Sequence, residues 1–203
     1  ETVALRIPNH PLALAVLQSG GGGIAAPSAN SYCRISPTEA SNVAEELGDK
    51  VDLILDGGTC QVGLESTIID LSGDMPRLLR PGQISKVDIQ NALNQLVLLP
   101  EVNEKIHVPG AVAVHYAPNI PAYLCSVEQI RHIQQGFVFK NRHKLGVLAY
   151  SLEILPDEYT ELITMPTQAE PYAHELYGKL RALDKRGIDI ILIEQPPCIE
   201  SWR

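Results

Sequence analysis

The sequence predicts an α/β fold: a first α/β unit, a linker, and then a small Rossmann-like parallel α/β domain. Three observations lead there. Apolar, β-branched runs alternate with helix-patterned stretches in both halves. Prolines crowd the stretch between them, at Pro100, Pro109, Pro118 and Pro121. A length of 203 residues fits one large domain or two modest ones. The expected units are 1–96, a linker over 97–121, and 122–203.

In chain order, Thr2 to Ile7 (TVALRI) is apolar and β-rich and stops at Pro8, which reads as a strand. Pro11 to Gln18 reads as a short helix ended by Gly20 to Gly23, and Ile24 to Ala26 as a brief buried strand. Ser36-Pro37-Thr38-Glu39 has the form of a helix start. Ser36 would be the N-cap, Pro37 the first helical residue and Glu39 the return partner of a capping box. That helix should run to Leu47 and stop at Gly48. Val51 to Asp56 reads as a strand before Gly57-Gly58. Ser66 to Leu71 and Arg77 to Arg80 read as two strands around Gly73-Asp74, and Ile84 to Leu96 as a helix capped by Ser85. In the second unit, strands at Ala122 to Cys125, Leu145 to Tyr150 and Ile188 to Glu194 alternate with helices at Val127 to Gln135 and Ala169 to Lys185.

Composition narrows the function. With 24 acidic and 16 basic side chains the formal charge is −8, which disfavours a broad basic surface for nucleic-acid backbone. A few arginines in a cleft can still oppose the global sign. The four cysteines, Cys33, Cys60, Cys125 and Cys198, are too far apart for a zinc-type pair or a dense disulfide framework. They read as reduced thiols of a cytoplasmic protein. No apolar run approaches the ~20 residues of a membrane span. Glu1 to Asn9 lacks the pattern of a signal peptide. Both ends read as cut, since the chain starts without Met in a strand-like run and stops at Trp202-Arg203.

Several segments carry chemistry. Gly20 to Gly23 is not a P-loop, because no Lys-Ser/Thr follows, and on its own it reads as a flexible turn. In Ile24-Ala25-Ala26-Pro27-Ser28-Ala29-Asn30, small residues allow close approach to the backbone. Ser28 and Asn30, at i and i+2, share one side of an extended chain. The pair suits phosphate or ribose oxygens, or equally a surface Asx or Ser turn. Gly63-Leu64-Glu65-Ser66-Thr67 places hydroxyls at a loop-to-strand junction without forming a nucleophile elbow. Arg6 and Arg80 each end an apolar run just before a proline turn. Guanidinium groups there fit an anionic substrate, or a pair of surface salt bridges. His10, His132, His143 and His174 read as solvated. His115 differs only in having Tyr116 and Pro118 beside it. No residue has the setting of an acid, base or nucleophile, and no spacing matches a metal site.

Taken together, VALRIPNHP, APSAN, RISPT, GLESTIID, LLRPG and HYAP resemble the threonylcarbamoyl-AMP synthase family, the YrdC-like enzymes in their long form with an extra C-terminal domain. The motifs stand in family order over residues 1 to about 120, and the resemblance implies that the first unit is the C-terminal portion of a YrdC-like twisted α/β domain. The resemblance implies formation of threonylcarbamoyl-AMP and pyrophosphate from L-threonine, bicarbonate and ATP. It also implies Mg²⁺ with the ATP and a hand-off to the tRNA threonylcarbamoyl transferase complex, with weak or no direct tRNA binding. Arg6, Ala26 and Ser66 would hold the threonine. Thr2, Ser28, Asn30, Ser36, Arg80 and Tyr116 would line the nucleotide site, with Tyr116 part of a lid. The family's lysine-arginine nucleotide motif is not in this chain, so the 203 residues are expected to be a fragment, inactive alone. Two other readings compete: a non-catalytic RNA-binding or regulatory module, which salt-dependent tRNA binding would favour, and carbamoyl transfer on a related domain.

Overall fold

The computed structural model describes residues 2–100, 116–141, 143–153, 158–199 and 202, with the side chains of 137–141 excepted. His115 and the middle of the predicted linker lie outside them. Among the described residues the elements are α1 (Pro11–Gly20), α2 (Ala40–Leu47), a 3₁₀ turn (Gly48–Lys50), β1 (Ile68–Asp70), β2 (Arg77–Arg80) and α3 (Lys86–Leu93). They continue with β3 (Ala122–Cys125), α4 (Val127–Asn141), β4 (Leu145–Ala149), β5 (Thr160–Thr164), α5 (Ala169–Asp184) and β6 (Ile190–Glu194).

The second unit is a four-stranded parallel sheet in the order β3-β6-β4-β5. Parallel sheets need cover on both faces, and the two helices supply it. Ile130 of α4 joins Leu145, Val147 and Leu192 on one side. On the other, Tyr172, Tyr177, Leu180 and Leu183 of α5 join Leu148 and Ile191. Every residue of β4 is buried, which is why the strand reads as a continuous apolar run. Gly146 lets α5 approach closely, since a Cβ there would meet Leu183 Cδ1 at 3.0 Å. β5 escaped the sequence reading. It is an edge strand with Thr160, Glu161 and Thr164 among its five residues, so it lacks the apolar run of a central strand.

The first unit is built mostly from loops around short helices and one hairpin. β1 and β2 are antiparallel, with a bulge between Ile68 and Ile69 that sets Arg80 opposite Ile68. α3 takes the predicted Ser85 cap: Ser85 Oγ accepts the Asp88 N–H, and the Asp88 carboxylate accepts the Ser85 N–H. α1 closes on Gly21 in the left-handed region (φ +66°).

Three predicted strands do not form. Residues 2–7, 24–26 and 51–56 are coil, and Val3, Leu5 and Ile7 are 77%, 87% and 91% exposed. Ile24, expected to be buried, is also exposed. A strand exists only beside a ladder partner, and among the described residues none runs alongside these segments. α2 starts at Ala40, three residues later than the Pro37 start that the Ser36 cap predicted. Its N-cap is Glu39, with no side-chain cap, while Ser36 is drawn off to a carboxylate elsewhere.

The units meet on α5. Ile35 is buried in the same apolar cluster as Leu180 and Leu183, with Leu64 and Tyr116 packed against it. Gly63 (φ +77°) lies so close that a Cβ would sit 2.3 Å from the His174 carbonyl oxygen. The described ends of the linker both dock. Leu98 donates to the Pro76 carbonyl and accepts from the Leu78 N–H, and Ala117 N–H donates to the Cys33 carbonyl. All four cysteines are free, and no described helix is long and apolar enough to cross a membrane.

Candidate functional site

β1 and β2 converge on the residues just before β1, and that junction gathers the polar side chains. Arg80, the last residue of β2, turns back along the hairpin. Its Nη2 and Nε donate to the Ser66 carbonyl at 2.7 and 3.0 Å, and its Nη1 donates to the Tyr116 hydroxyl at 3.2 Å. Arg6 arrives from the N-terminal segment and donates to Ser66 Oγ at 2.9 Å. Two guanidinium groups therefore meet on one serine. On its other side, Glu65 accepts the Ser36 hydroxyl at 2.5 Å and the Tyr177 hydroxyl at 2.7 Å. Five predicted site residues, Arg6, Ser36, Ser66, Arg80 and Tyr116, thus fall into one network through Glu65 and Tyr177.

The two phenols play different parts: Tyr177 donates to Glu65, and Tyr116 accepts from Arg80. Burial first, then the neighbouring Glu65 charge, raises the Tyr116 hydroxyl above its ordinary value, with Arg80 opposing. Burial and then the bond to Glu65 push Tyr177 up further. Both stay protonated at neutral pH. Tyr116 adopts a left-handed backbone (φ +56°) that L side chains seldom take. The bond from Arg80 and the Tyr177 ring, 6.3 Å away between centroids, hold it there.

The backbone that carries Ser66 is braced by Gly82. A Cβ at that position would lie 2.4 Å from Thr67 N and 2.7 Å from the Glu65 carbonyl oxygen, both main-chain atoms. Gly82→Ala must therefore push residues 65–67 aside. It is expected to cost about 1–3 kcal/mol, as overpacking does, measured as a lower denaturant midpoint at unchanged slope.

Other predicted residues sit elsewhere. Thr2, Ala26 and Ser28 are exposed, and no described contact ties them to this network. Asn30 braces its own loop, donating to the Ser31 and Arg34 carbonyls at 3.0 and 2.8 Å, while its Oδ1 is buried without a partner. His174, expected to be solvated, instead hydrogen-bonds the Gln61 carbonyl at 2.8 Å across the two units. Glu65 and Tyr177 were missed. Their one sequence signal is that Glu65 adjoins Ser66 and that Tyr177 lies on the same helical stripe as Glu170, His174 and Arg181.

No cluster of three His, Cys, Asp or Glu side chains among the described residues could hold a metal ion. Glu65, the one carboxylate in the network, already accepts a hydroxyl on each oxygen. The donor set therefore does not fit a protein-ligated cation.

Two guanidiniums, two serine hydroxyls and two protonated phenols make a donor-rich cluster where a hairpin meets an α/β domain. Comparison with known proteins says which proteins share that frame. Residues 83–203 match the family model described as Threonylcarbamoyl-AMP synthase, C-terminal domain, and residues 1–82 match the one described as Telomere recombination. The chain belongs to the threonylcarbamoyl-AMP synthase family. It is 39% identical to the threonylcarbamoyl-AMP synthase of Bacillus subtilis, over 97% of this chain and 59% of that protein. With the Pyrococcus abyssi enzyme of the same name it shares 33% identity, over 96% of this chain and 58% of the relative. The crystal structure of P. abyssi Sua5 complexed with L-threonine superposes with a TM-score of 0.76 at 30% identity, covering 93% of this chain and 57% of the other. The chain thus spans somewhat more than half the length of these relatives.

Proposed function

We propose that this protein takes part in forming threonylcarbamoyl-AMP and pyrophosphate from L-threonine, bicarbonate and ATP, with the Ser66 junction as the substrate site. The observation that carries this reading is the convergence of Arg6 and Arg80 on Ser66. In this reading Arg6, Ser66 and the backbone around Ala26 hold the threonine. Ser36, Arg80 and Tyr116 line the nucleotide site, joined by Thr2, Ser28 and Asn30. Units 1–96 and 122–203 flank a linker over 97–121, from which Tyr116 closes on Arg80.

The chemistry asks for positioning more than for a covalent enzyme intermediate. Threonine carboxylated on nitrogen attacks the α-phosphorus with a carboxylate oxygen. A P–O bond forms there as the bond to pyrophosphate breaks. Charge builds on phosphate oxygens during that step, and preorganised guanidinium and hydroxyl donors stabilise it. Mg²⁺ would enter with the triphosphate rather than on protein ligands. The product would pass to the tRNA threonylcarbamoyl transferase complex, and the setting would be cytoplasmic.

Titration calorimetry tests the reading. The 203-residue protein is expected to bind both L-threonine and ATP, with threonine discriminated from valine. A protein that binds neither overturns it.

A further inference from the structure

Along α5, Glu170, His174, Tyr177 and Arg181 fall at i, i+4, i+7 and i+11, a single stripe of the helix. Each reaches into the first unit. Gln83 donates to Glu170 at 3.0 Å, His174 meets the Gln61 carbonyl at 2.8 Å, Tyr177 donates to Glu65 at 2.7 Å, and Arg181 donates to Glu46 at 2.9 Å. Three of these contacts join the units away from the substrate site. The fourth does not. Glu65 is bonded to Ser36 and directly precedes Ser66 in the chain, so the Tyr177 hydroxyl stands one residue from both proposed ligand groups.

We infer that Tyr177, acting through Glu65, is a positioning residue by which docking of the C-terminal unit sets the substrate site. The inference rests on L-threonine and ATP as the ligands of that site. Its physics is that of a shared carboxylate. Glu65 carries a negative charge beside a site meant for a triphosphate. Two hydroxyl donors occupy its oxygens, fix its rotamer and damp its field. Removing the Tyr177 hydroxyl leaves Oε2 without that donor in a half-buried setting. The carboxylate then competes harder for the Ser36 proton, which a phosphate oxygen also needs, and repels the nucleotide. The Tyr177 ring, buried in the α5 cluster, stays packed in a phenylalanine variant. The hydroxyl can therefore be removed without emptying the core.

The test pairs ligand binding with amide exchange. Tyr177→Phe is expected to weaken ATP binding five- to tenfold. It should also speed exchange across residues 64–67 and leave β4 and β6 as protected as before. Adding Glu65→Gln, which removes the charge, is expected to bring ATP affinity in the double variant within twofold of Glu65→Gln alone. A purely structural tyrosine would show no such rescue. If the unaltered protein binds ATP and Tyr177→Phe binds it equally well, the inference is overturned while the proposed function stands. If the unaltered protein binds neither ATP nor L-threonine, the proposed function falls and the inference falls with it.

Discussion

Replacing Arg181 with alanine is expected to destabilise the protein by about 3 kcal/mol, the scale of breaking a buried ion pair from one side. For a chain of this size that is a fall in Tm of roughly 9 °C. Arg181 and Glu46 are each only 15% exposed, with Nη2 and Oε2 2.9 Å apart. The same nitrogen also donates to the Ile35 carbonyl. The alanine variant strands the Glu46 carboxylate and that carbonyl together, at the point where Ile35 enters the apolar cluster of α5. Arg181→Lys should recover part of the loss, because the ammonium keeps the charge but sits on a shorter stem that does not extend as far as Nη2.

An acid-side signature accompanies this effect. Burial alone would raise the Glu46 carboxyl, but the Ser31 N–H and Arg181 outweigh it and hold the group below the ordinary glutamate value of 4.5. A carboxyl depressed on folding contributes stability that is complete above its unfolded value and is lost as pH falls through its folded one. Denaturant melts of the unaltered protein should therefore lose stability below about pH 4.5. Arg181→Ala should lose less over the same interval. Parallel pH profiles for the two proteins would remove Glu46 and Arg181 as the acid-sensitive contact.

How much of this was legible in the sequence depends on how local each determinant is. β3 was read to the residue because AYLC is bracketed by Pro121 and Ser126. α3 was found from its helical period and from Ser85 as its cap, though it is shorter than the predicted Ile84 to Leu96. β4 and β6 were found because strands buried on both faces write themselves as apolar runs. Residues 2–7 and 51–56 have the same local texture but no partner among the described residues, and pairing is a property of distant chain. The site divides in the same way. Arg6 and Arg80 stood out by residue type and by the proline turns after them, whereas Ser66 showed locally only as a hydroxyl at a loop-to-strand junction. Glu65 was passed over, because what gives it a role is Tyr177, 112 residues away. Nothing short of the docked fold puts those two side chains together. Ser36 shows the conflict directly: its local sequence argues for a helix cap, and a carboxylate 29 residues on takes the hydroxyl instead.

The largest functional effect is expected at Arg80. Its guanidinium makes two bonds to the Ser66 carbonyl and one to the Tyr116 hydroxyl, so it fixes both the backbone at Ser66 and the Tyr116 side chain. It also supplies positive charge in a protein whose net charge is −8. Arg80→Ala removes all of this at once. A charge-assisted, forked contact contributes about 2–3 kcal/mol, so ATP affinity should fall roughly 30- to 150-fold. L-threonine affinity should fall by a smaller factor, because Arg6 still donates to Ser66 Oγ. Arg80→Lys should recover little. Its ammonium keeps the charge but lacks the planar fork that reaches Ser66 and Tyr116 together. Calorimetric titration of each ligand into the three proteins, with circular dichroism to verify the fold, measures every term. Equal ATP affinity in the unaltered protein and Arg80→Ala would take Arg80 out of the site. Full recovery by lysine would instead mean that charge alone matters, and the forked geometry at Ser66 would lose its role in binding.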